Sequence, residues 1–456
     1  MLPLTLAEVA AACGGRLEAL DPGLVVRQVC TDSRRIEPGD LFIGLQGDQF
    51  DGDEFAAQAL ADGAAAVVVR SEAAAALPAS AARIEVDDGL RALQSLATEV
   101  RRRSGVKVVA ITGSAGKTST KDILAALLRP VASTVATVAN LNNEIGVPLT
   151  LLDIGPDTEV AVVEMAMRGA GQIRELARLA EADVGVITNV APVHLELVGT
   201  VEDVAAAKAE LIEELADGGT AVVPADEQLL TRHVHRYRGR VVTFGEEDAD
   251  VHVVLQERRG ETTHVLLDAF GYRARMDFSF TGAHYLRDAL AAVAAFVELD
   301  YRLDQAAEGA ARVAFSDLRG ALSELPHGGL LLNDAYNANP VAMKAAVDHL
   351  VAVADGRPAV AVLGDMYELG PGADAYHRAV GEHCAAAGVR LVAVGGLARG
   401  YLTGAPGERW CATVEECLAA LPEVVPAGSA VLVKASRALR LERVAEALAA
   451  QGGPDA

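Results

Sequence analysis

The chain has 456 residues, enough for about three domains at roughly 150 residues each. It is 51% hydrophobic and 4% aromatic, which predicts aliphatic cores. Its 63 acidic residues outnumber 40 Lys and Arg, so the net charge is −23. This charge disfavours nucleic acid and anionic membranes as partners, and an anionic ligand must be held by local donors.

The five cysteines are scattered and odd in number, without a Cys-x-x-Cys pair. This pattern is typical of reduced thiols and disfavours a disulfide framework or a zinc site. The N-terminus lacks a basic segment followed by an apolar core. Instead, Thr5 and Glu8 predict a capping box that opens a short helix ending at Gly14. Since no charge-free apolar stretch approaches a membrane span, we expect a cytoplasmic protein.

Alternating strands and helices divide the chain into three predicted domains, 1–104, 105–313 and 314–456. In the second, short and almost wholly apolar strands alternate with helices, which predicts an α/β fold with a parallel sheet covered on both faces. Residues 250–280 change to period-two alternation and predict antiparallel strands at one edge. The three arginines 101–103 look like part of a linker.

The third domain repeats the alternation of strands and helices without a Gly-x-Gly-x-x-Gly sequence. Its topology therefore allows a dinucleotide-type fold, but the usual fingerprint is absent. Ligands should lie at the carboxyl ends of the parallel strands in folds of this kind.

A glycine-rich turn follows the apolar run 106–110 and precedes a helical pattern that we expect from Lys121 to about Leu128. The turn reads Ile111-Thr112-Gly113-Ser114-Ala115-Gly116-Lys117-Thr118-Ser119-Thr120. Its glycines let backbone N–H groups approach phosphates, and the helix N-terminus favours negative charge. Lys117 would reach the β- and γ-phosphates, and Thr118 could hold Mg²⁺. Although the pattern is shorter than a full Walker A motif, it predicts a nucleotide-phosphate site.

Further candidate residues follow other strands of the second domain. Glu164 ends the strand 160–164 and could be a Mg²⁺ ligand or a base, or a solvated strand end. His194 lies beyond the strand 184–188 and is either structural or a ligand. Lys208 lies in a helix, where a surface lysine paired with Glu is the ordinary interpretation.

Three polar segments are ambiguous by their chemistry alone. Residues 31–35 are a solvated turn or a grip for a diphosphate, to which Arg binds bidentately. Residues 333–340 either cap a helix or contact an adenine or ribose. Residues 433–437 offer two cations and a hydroxyl to a carboxylate or phosphate.

In this order, the polar segments resemble the Mur ligases of peptidoglycan synthesis. The stretches that carry the resemblance are 32–34 with 50–52, 112–119, 140–148, Glu164-Met165 with Arg168, 189–194, 208–210, 334–340, 364–370 and 434–437. The resemblance implies three domains: an N-terminal one for a UDP-sugar, a central ATP-binding one with a P-loop-type parallel sheet, and a C-terminal Rossmann-like one. It also implies ATP-dependent amide formation through an acyl phosphate.

Within the family, residues 336–340 and 364–370 resemble the member whose substrates are UDP-N-acetylmuramoyl-tripeptide and D-alanyl-D-alanine. The Asp-Asn-Pro-Arg signature of the member that adds the third residue is absent. We expect a cytoplasmic monomer that needs ATP and two Mg²⁺ ions.

The resemblance assigns expected roles to individual residues. Catalytic residues would be Lys117, Glu164, His194, Lys208 and Arg319. One Mg²⁺ would lie on Thr118 and Glu164, and the second on His194 and Lys208, with Lys208 carbamylated to an anion. The nucleotide would contact residues 113–119, His284, Arg319, Asp334 and Asn337. The substrates would contact Ser33, Arg34, Asp51, Asn140, Asn142, Asn143, Arg168, Asn339, Ser436 and Arg437.

One family stretch departs from its pattern, since Tyr285 and Asp288 replace two asparagines on the adenine side. Two alternatives to the main interpretation stay open at this point. The chain could be another Mur-type or folylpolyglutamate-like amide ligase. It could also be a nucleotide-dependent kinase or binding module that forms no amide bond.

Overall fold

The computed structural model describes residues 1–47, 50–245, 248–404 and 409–450. Its N-terminal unit has a five-stranded sheet in the order β2-β7-β6-β5-β4, where only the β2–β7 pair is antiparallel. The elements are β1 (Leu4–Thr5), α1 (Leu6–Cys13), β2 (Arg16–Glu18), β3 (Val25–Val26), β4 (Val29–Cys30), β5 (Leu41–Ile43), α2 (Ala56–Ala61), β6 (Ala66–Arg70), α3 (Ser71–Ala74), β7 (Arg83–Val86) and α4 (Gly89–Ser104).

The central unit is built on a nine-stranded sheet in the order β16-β15-β14-β13-β12-β11-β8-β10-β9. Its elements are β8 (Lys107–Thr112), α5 (Lys117–Leu128), β9 (Thr134–Ala136), α6 (Gly146–Leu152), β10 (Val160–Glu164), α7 (Gln172–Ala180), β11 (Val184–Ile187), α8 (Leu195–Val198), α9 (Val201–Glu213), β12 (Thr220–Pro224), α10 (Thr231–Val234), β13 (Arg240–Gly245), β14 (Val251–Arg259), β15 (Thr262–Ala269), β16 (Tyr272–Phe278), α11 (Ala283–Glu298) and α12 (Ala306–Ala310).

The C-terminal unit has a six-stranded sheet in the order β17-β18-β22-β19-β20-β21. Its elements are β17 (Ala321–Leu325), β18 (Gly329–Asn333), α13 (Pro340–Ala354), β19 (Ala359–Gly364), α14 (Ala373–Ala386), β20 (Arg390–Val394), β21 (Arg409–Cys411), α15 (Val414–Val424), β22 (Ala430–Lys434) and α16 (Glu442–Ala450). The predicted α/β class with covered parallel sheets is confirmed. The domain limits after residues 104 and 313 stay predictions.

The central sheet explains why its strands read as continuous apolar runs. Strands β8, β10 and β11 are parallel neighbours, and their apolar side chains are buried on both faces. Helices α5 and α11 contribute to the core on one face, while α7 and the N-terminal unit's α4 contribute to the core on the other. The predicted antiparallel edge is confirmed, because β14, β15 and β16 pair antiparallel there.

Two local expectations about helices needed correction, and one is confirmed. Helix α1 has the predicted capping box between Thr5 and Glu8 and ends at Gly14 in a left-handed conformation. The arginines at 101–103 are not a linker; they form the last turn of α4, where Arg101 Nη2 donates to Asp183 Oδ2 at 2.9 Å. Helix α5 begins at Lys117, four residues before the expected start, because the turn closes at Gly116 with φ 77°.

Candidate active site

The glycine-rich turn between β8 and α5 is held in place by the segment that follows β11. The N–H of Ala115 donates to Asn189 Oδ1 at 2.9 Å, and the amide of Asn189 donates back to the Ala115 carbonyl at 3.1 Å. The Ser114 hydroxyl and Ala191 exchange two further hydrogen bonds of 3.0 and 2.9 Å. Since the turn opens onto the first turn of α5, it forms a pre-organised cradle for phosphates.

Lys117 is the cation of this cradle. Its Nζ donates to the Gly113 carbonyl at 2.7 Å, so the side chain folds back over the turn. Burial lowers the pKa of Lys117, with the Glu164 carboxylate opposing and the Arg319 guanidinium adding to that effect. Lys117 is therefore close enough to both residues to interact electrostatically.

Glu164 ends β10 opposite Ile111 of β8, so the parallel register brings it beside the start of the cradle. Its side chain is 1% exposed, and Oε1 accepts a 2.7 Å hydrogen bond from Asn142 Nδ2. Within the described residues, the buried Oε2 has no hydrogen-bond partner. A buried carboxylate oxygen without a partner is costly, and a bound cation would remove that cost.

His194 and Lys208 complete the group around Lys117. His194 has a left-handed backbone with φ 54°, and its Nδ1 contacts the Glu368 carboxylate of the C-terminal unit. Burial lowers the pKa of His194, the Glu368 carboxylate opposes that shift, and Lys117 and Lys208 add to it. Lys208 is 2% exposed, so its interpretation as a surface lysine is wrong. Burial is the main cause that holds the pKa of Lys208 well below its ordinary value, and the charge of Lys117 lowers it further.

A cavity of about 370 Å³ lies between the cradle and the C-terminal unit. It is lined by Ser114, Ala115, Gly116, Lys117, Thr118, Ser119, Asn189, His284, Tyr285, Arg287, Asp288, Arg319, Asp334, Asn337, Asn339, Val341, Ala342, Ala345 and Lys434. All residues expected to contact a nucleotide line this cavity except Gly113, which directly precedes the lining residue Ser114. Glu164, His194 and Lys208 lie near Lys117 but outside this lining.

The far part of the cavity carries a buried ion pair and a stacked cation. Lys434 Nζ pairs with Asp334, so this lysine is neutralised within the C-terminal unit and does not present a free cation. The Arg319 guanidinium lies 3.9 Å from the ring centre of Tyr336, which holds it in a cation–π contact. Burial lowers the pKa of His284 to about 3, so its imidazole is neutral.

Asp288 on α11 is one of the two residues that depart from the family pattern. It is 7% exposed, and burial raises its pKa to about 8, with Arg287 and Arg319 opposing. At neutral pH the side chain is therefore mostly a neutral acid, which can donate one hydrogen bond and accept others as an amide does. Tyr285, the other departure, is buried and donates its hydroxyl to the Arg319 carbonyl at 3.1 Å.

Replacing Asp288 with asparagine should change how stability depends on pH. Between about pH 4 and 8, folded Asp288 keeps a proton that the unfolded chain has lost, so its contribution to stability falls as pH rises. The unfolding free energy of Asp288→Asn should therefore rise relative to that of the unmodified chain across this window, with no further gain above it. Urea unfolding at several pH values measures the difference. Exposed Asp304→Asn should show no such rise, and a flat difference for Asp288→Asn would contradict the expectation.

Gly116 is a position in the cradle where a side chain would collide with a neighbouring group. Its φ is 77°, and a Cβ there would lie 2.2 Å from Asp288 Oδ1. Gly105 has a similar φ of 64° but nothing within 4 Å of an added Cβ. Both alanine variants should lose about 1–2 kcal/mol to the left-handed backbone, and Gly116→Ala should lose more and bind ATP more weakly. Urea unfolding and ATP titration test this; equal losses in both variants would show that the steric contact is unimportant.

The remaining candidate residues fall into three places. Asn339 caps α13 through a 2.9 Å bond from the Ala342 N–H, and its Nδ2 reaches the Ser114 carbonyl of the cradle at 3.4 Å. Ser436 accepts from the Tyr367 N–H at 3.0 Å, and Arg437 pairs with Glu442.

Residues 140–143 and Arg168 follow β9 and β10. Asn143 accepts from the Gly146 N–H at 3.0 Å at the start of α6, while Asn140 and Arg168 are exposed. Asn142 is the partner of Glu164, which the sequence did not indicate.

Ser33, Arg34 and Asp51 belong to the N-terminal unit and do not line the cavity. Residues 33–35 form a 3₁₀ turn in which Arg34 pairs with Asp32, and Asp51 pairs with Arg70. Whether they contact a substrate stays a prediction.

Sequence reasoning gave no role to Thr188, Asp288 or Glu368 individually. The Thr188 hydroxyl donates to the Ala115 carbonyl at 2.5 Å, Asp288 faces Gly116, and Glu368 reaches His194 across two units. The stretch 364–370 contained Glu368, but only the packing of the units identifies its partner.

The described residues contain no group of three or more His, Cys, Asp or Glu side chains arranged for a metal. Two of the four residues expected to hold metal are a threonine and a lysine. Only Glu164 and His194 are therefore of the types counted here. In the part of the chain that the structure describes, we also find no helix with the length and apolarity needed to cross a bilayer.

Three family descriptions match successive parts of the chain. They are "Mur ligase family, catalytic domain" at residues 25–101, "Mur ligase middle domain" at 111–296 and "Mur ligase, glutamate ligase domain" at 322–437. The fold and the cradle thus define a nucleotide-binding ligase class, and the chain belongs to the Mur ligase family.

Named relatives narrow the comparison within the family. The UDP-N-acetylmuramoyl-tripeptide--D-alanyl-D-alanine ligase of Synechocystis sp. is 35% identical over 438 residues, which cover 95% of this chain and 94% of that protein. A MurF crystal structure from Acinetobacter baumannii is 29% identical with a TM-score of 0.89 and covers 98% of both chains. MurF ligase from Thermotoga maritima in complex with ADP is 29% identical with a TM-score of 0.81, covering 93% of this chain and 97% of that one.

Proposed function

We propose that this chain is an ATP-dependent ligase that joins D-alanyl-D-alanine to the terminal carboxylate of UDP-N-acetylmuramoyl-tripeptide in peptidoglycan precursor synthesis. Full-length similarity to a ligase with those named substrates supports the choice of acceptor. The observation that carries the chemistry is the convergence of Lys117, Glu164, His194 and Lys208, which interact electrostatically beside the phosphate cradle.

The reaction requires two anions to meet, the peptide carboxylate and the γ-phosphate of ATP. A carboxylate oxygen attacks the γ-phosphorus, the bond to ADP breaks, and an acyl phosphate forms. The amine of D-alanyl-D-alanine then attacks the acyl carbon, phosphate leaves, and the nitrogen loses a proton. Lys117 and the N–H groups of the cradle would hold the phosphates, and Arg319 would steady charge on the transferring group.

The residues around Glu164 fit a divalent cation with oxygen ligands. The unpartnered Oε2 of Glu164 and the buried hydroxyl of Thr118 would hold the first Mg²⁺, which prefers oxygen donors. When bound, such an ion neutralises phosphate charge and polarises the γ-phosphate. Asn142 keeps Oε1 in place and leaves Oε2 for the ion.

The second expected Mg²⁺ would need His194 and a carbamylated Lys208. An ammonium group repels a cation, whereas a carbamate is anionic and has oxygen donors. Carbamate formation needs a neutral amine attacking CO₂, and the low pKa of buried Lys208 supplies that form. Burial of Lys208 therefore favours its carbamylation, and only the carbamylated side chain could bind Mg²⁺.

The substrates would approach from the two outer units. Ser33, Arg34 and Asp51 would contact the UDP-sugar, while Arg437 and Ser436 would face the peptide or the dipeptide. The cavity's position between the cradle and the C-terminal unit supports exclusion of water from the acyl phosphate, which water would otherwise hydrolyse.

Mass spectrometry of the product tests this proposal. UDP-N-acetylmuramoyl-tripeptide incubated with enzyme, ATP, Mg²⁺ and D-alanyl-D-alanine should gain the mass of the dipeptide less one water. Phosphate release should depend on that dipeptide. Release driven only by glutamate or a diamino acid would indicate another amide ligase, and ATP consumption without a new amide would indicate a kinase.

A further inference from the structure

The contact between His194 and Glu368 joins two units of the fold. His194 precedes α8 in the central unit, and Glu368 follows β19 in the C-terminal unit, 174 residues further along the chain. Two more contacts flank it: the Gly370 N–H reaches Glu196 Oε1 at 3.4 Å, and the Glu196 N–H reaches the Glu368 carbonyl at 3.5 Å. The two segments therefore meet along side chain and backbone.

Both residues of this contact have a left-handed backbone. The φ of His194 is 54° and that of Glu368 is 63°, values uncommon for residues other than glycine. Such conformations carry backbone strain and persist where the surrounding structure requires them. Two of them at one contact argue against an incidental surface ion pair.

The C-terminal unit holds the segment around Glu368 rigidly. The Asp365 carboxylate accepts from the Ala398 N–H at 2.6 Å, and the Met366 N–H donates to His377 Nε2 at 3.1 Å. The Tyr367 N–H donates to Ser436, and Leu369 is 1% exposed. The backbone on both sides of Glu368 is therefore anchored to this unit.

The pairing determines which nitrogen of His194 is available. Glu368 engages Nδ1, which leaves Nε2 as the nitrogen that can face a ligand. A carboxylate on one imidazole nitrogen fixes the ring orientation and the tautomer, and it strengthens the other nitrogen as a metal ligand. Lys208 is among the charges that lower the pKa of His194, so the two side chains lie in the same part of the site.

We infer that Glu368 is a positioning residue that orients His194 for a divalent cation, so that this side of the site is complete only when the C-terminal unit is docked. The inference rests on the proposed function for the role of His194. It goes further in making the C-terminal unit, which contributes no expected metal ligand of its own, part of the metal site.

Binding of Mn²⁺ alone, used as a spectroscopic probe in the presence of ADP, tests the inference without turnover. Electron paramagnetic resonance titration should show one class of bound Mn²⁺ weakened about 10–100-fold in Glu368→Ala. Glu368→Gln keeps the length and an acceptor oxygen, and should lose less. The ADP dissociation constant should change little, because Lys117 and the cradle remain.

The matched control is Glu415→Ala, which removes an exposed ion pair with Arg443 elsewhere in the C-terminal unit and should leave both titrations unchanged. Unaltered Mn²⁺ binding in both Glu368 variants would overturn the inference, as would an equal loss of ADP and Mn²⁺ binding in the folded Gln variant. Absence of dipeptide ligation by the unmodified chain would instead refute the proposed function, and the Mn²⁺ titration would still report on Glu368.

Discussion

Lys117→Met should lose about 10²–10³ in kcat for dipeptide-dependent phosphate release, while the folded chain is no less stable. The loss follows because Lys117 is the cation of the phosphate cradle and interacts with Glu164 and Arg319. Stability should hold because burial already disfavours the charge, and an apolar side chain of similar length removes that desolvation cost. Steady-state kinetics and thermal unfolding measure the two quantities on the same preparations.

Lys107→Met is the matched control for this substitution. Lys107 is the first residue of β8, at the end of that strand away from the cradle. Its side chain is 62% exposed, and its ion pair with Asp183 is 3.0 Å long. Exposed pairs contribute roughly 0–1 kcal/mol, so this variant should keep its activity. Full turnover by Lys117→Met would remove the cradle from the mechanism, and equal losses in both variants would point to a general structural effect.

Lys208→Ala should also lose about 10²–10³ in kcat, with part of the rate restored by added short carboxylates. The physical reason is that a small carboxylate can occupy the space of the missing carbamate and supply its oxygen donors. Removing dissolved CO₂ should lower the activity of the unmodified chain and have no effect on the variant. Phosphate release with and without acetate or bicarbonate measures both effects.

Lys344→Ala supplies the control, since Lys344 is a half-buried lysine on α13 outside the proposed machinery. Its responses to acetate and to CO₂ should be the same as those of the unmodified chain. If Lys208→Ala kept full activity without carboxylates, the carbamate hypothesis would be wrong, although the cradle and Glu164 could still bind ATP.

Local chemistry was enough to predict the cradle and much of the fold. Glycines at 113 and 116 beside Lys117 indicate a phosphate turn because few other sequences combine that freedom with a cation. The apolar strands at 107–111 and 160–164 indicate a buried parallel sheet because both of their faces must avoid water. These signals lie within short segments, so they can be recognised without any knowledge of distant contacts.

The same local reasoning went wrong where a distant segment supplies the environment. Lys208 reads as a surface lysine in its helix, but packing leaves it 2% exposed beside Lys117. The arginines at 101–103 read as a linker because the acidic partners of Arg101 and Arg102 lie about 80 residues further along the sequence. Lys434 reads as a free cation until the sheet brings Asp334 beside it.

By itself, the sequence determined the α/β class, the phosphate cradle and the order of the polar segments, since each depends on residues within a few positions of one another. Only the tertiary structure decided that Glu164 keeps an unpartnered oxygen, that Asp288 is held mostly neutral and that Glu368 meets His194. Those properties arise from burial and from contacts between separate segments, 22 residues apart for Asn142 and Glu164 and 174 apart for His194 and Glu368. Hydrophobic periodicity does not tell which polar side chains become buried or which distant segments they contact.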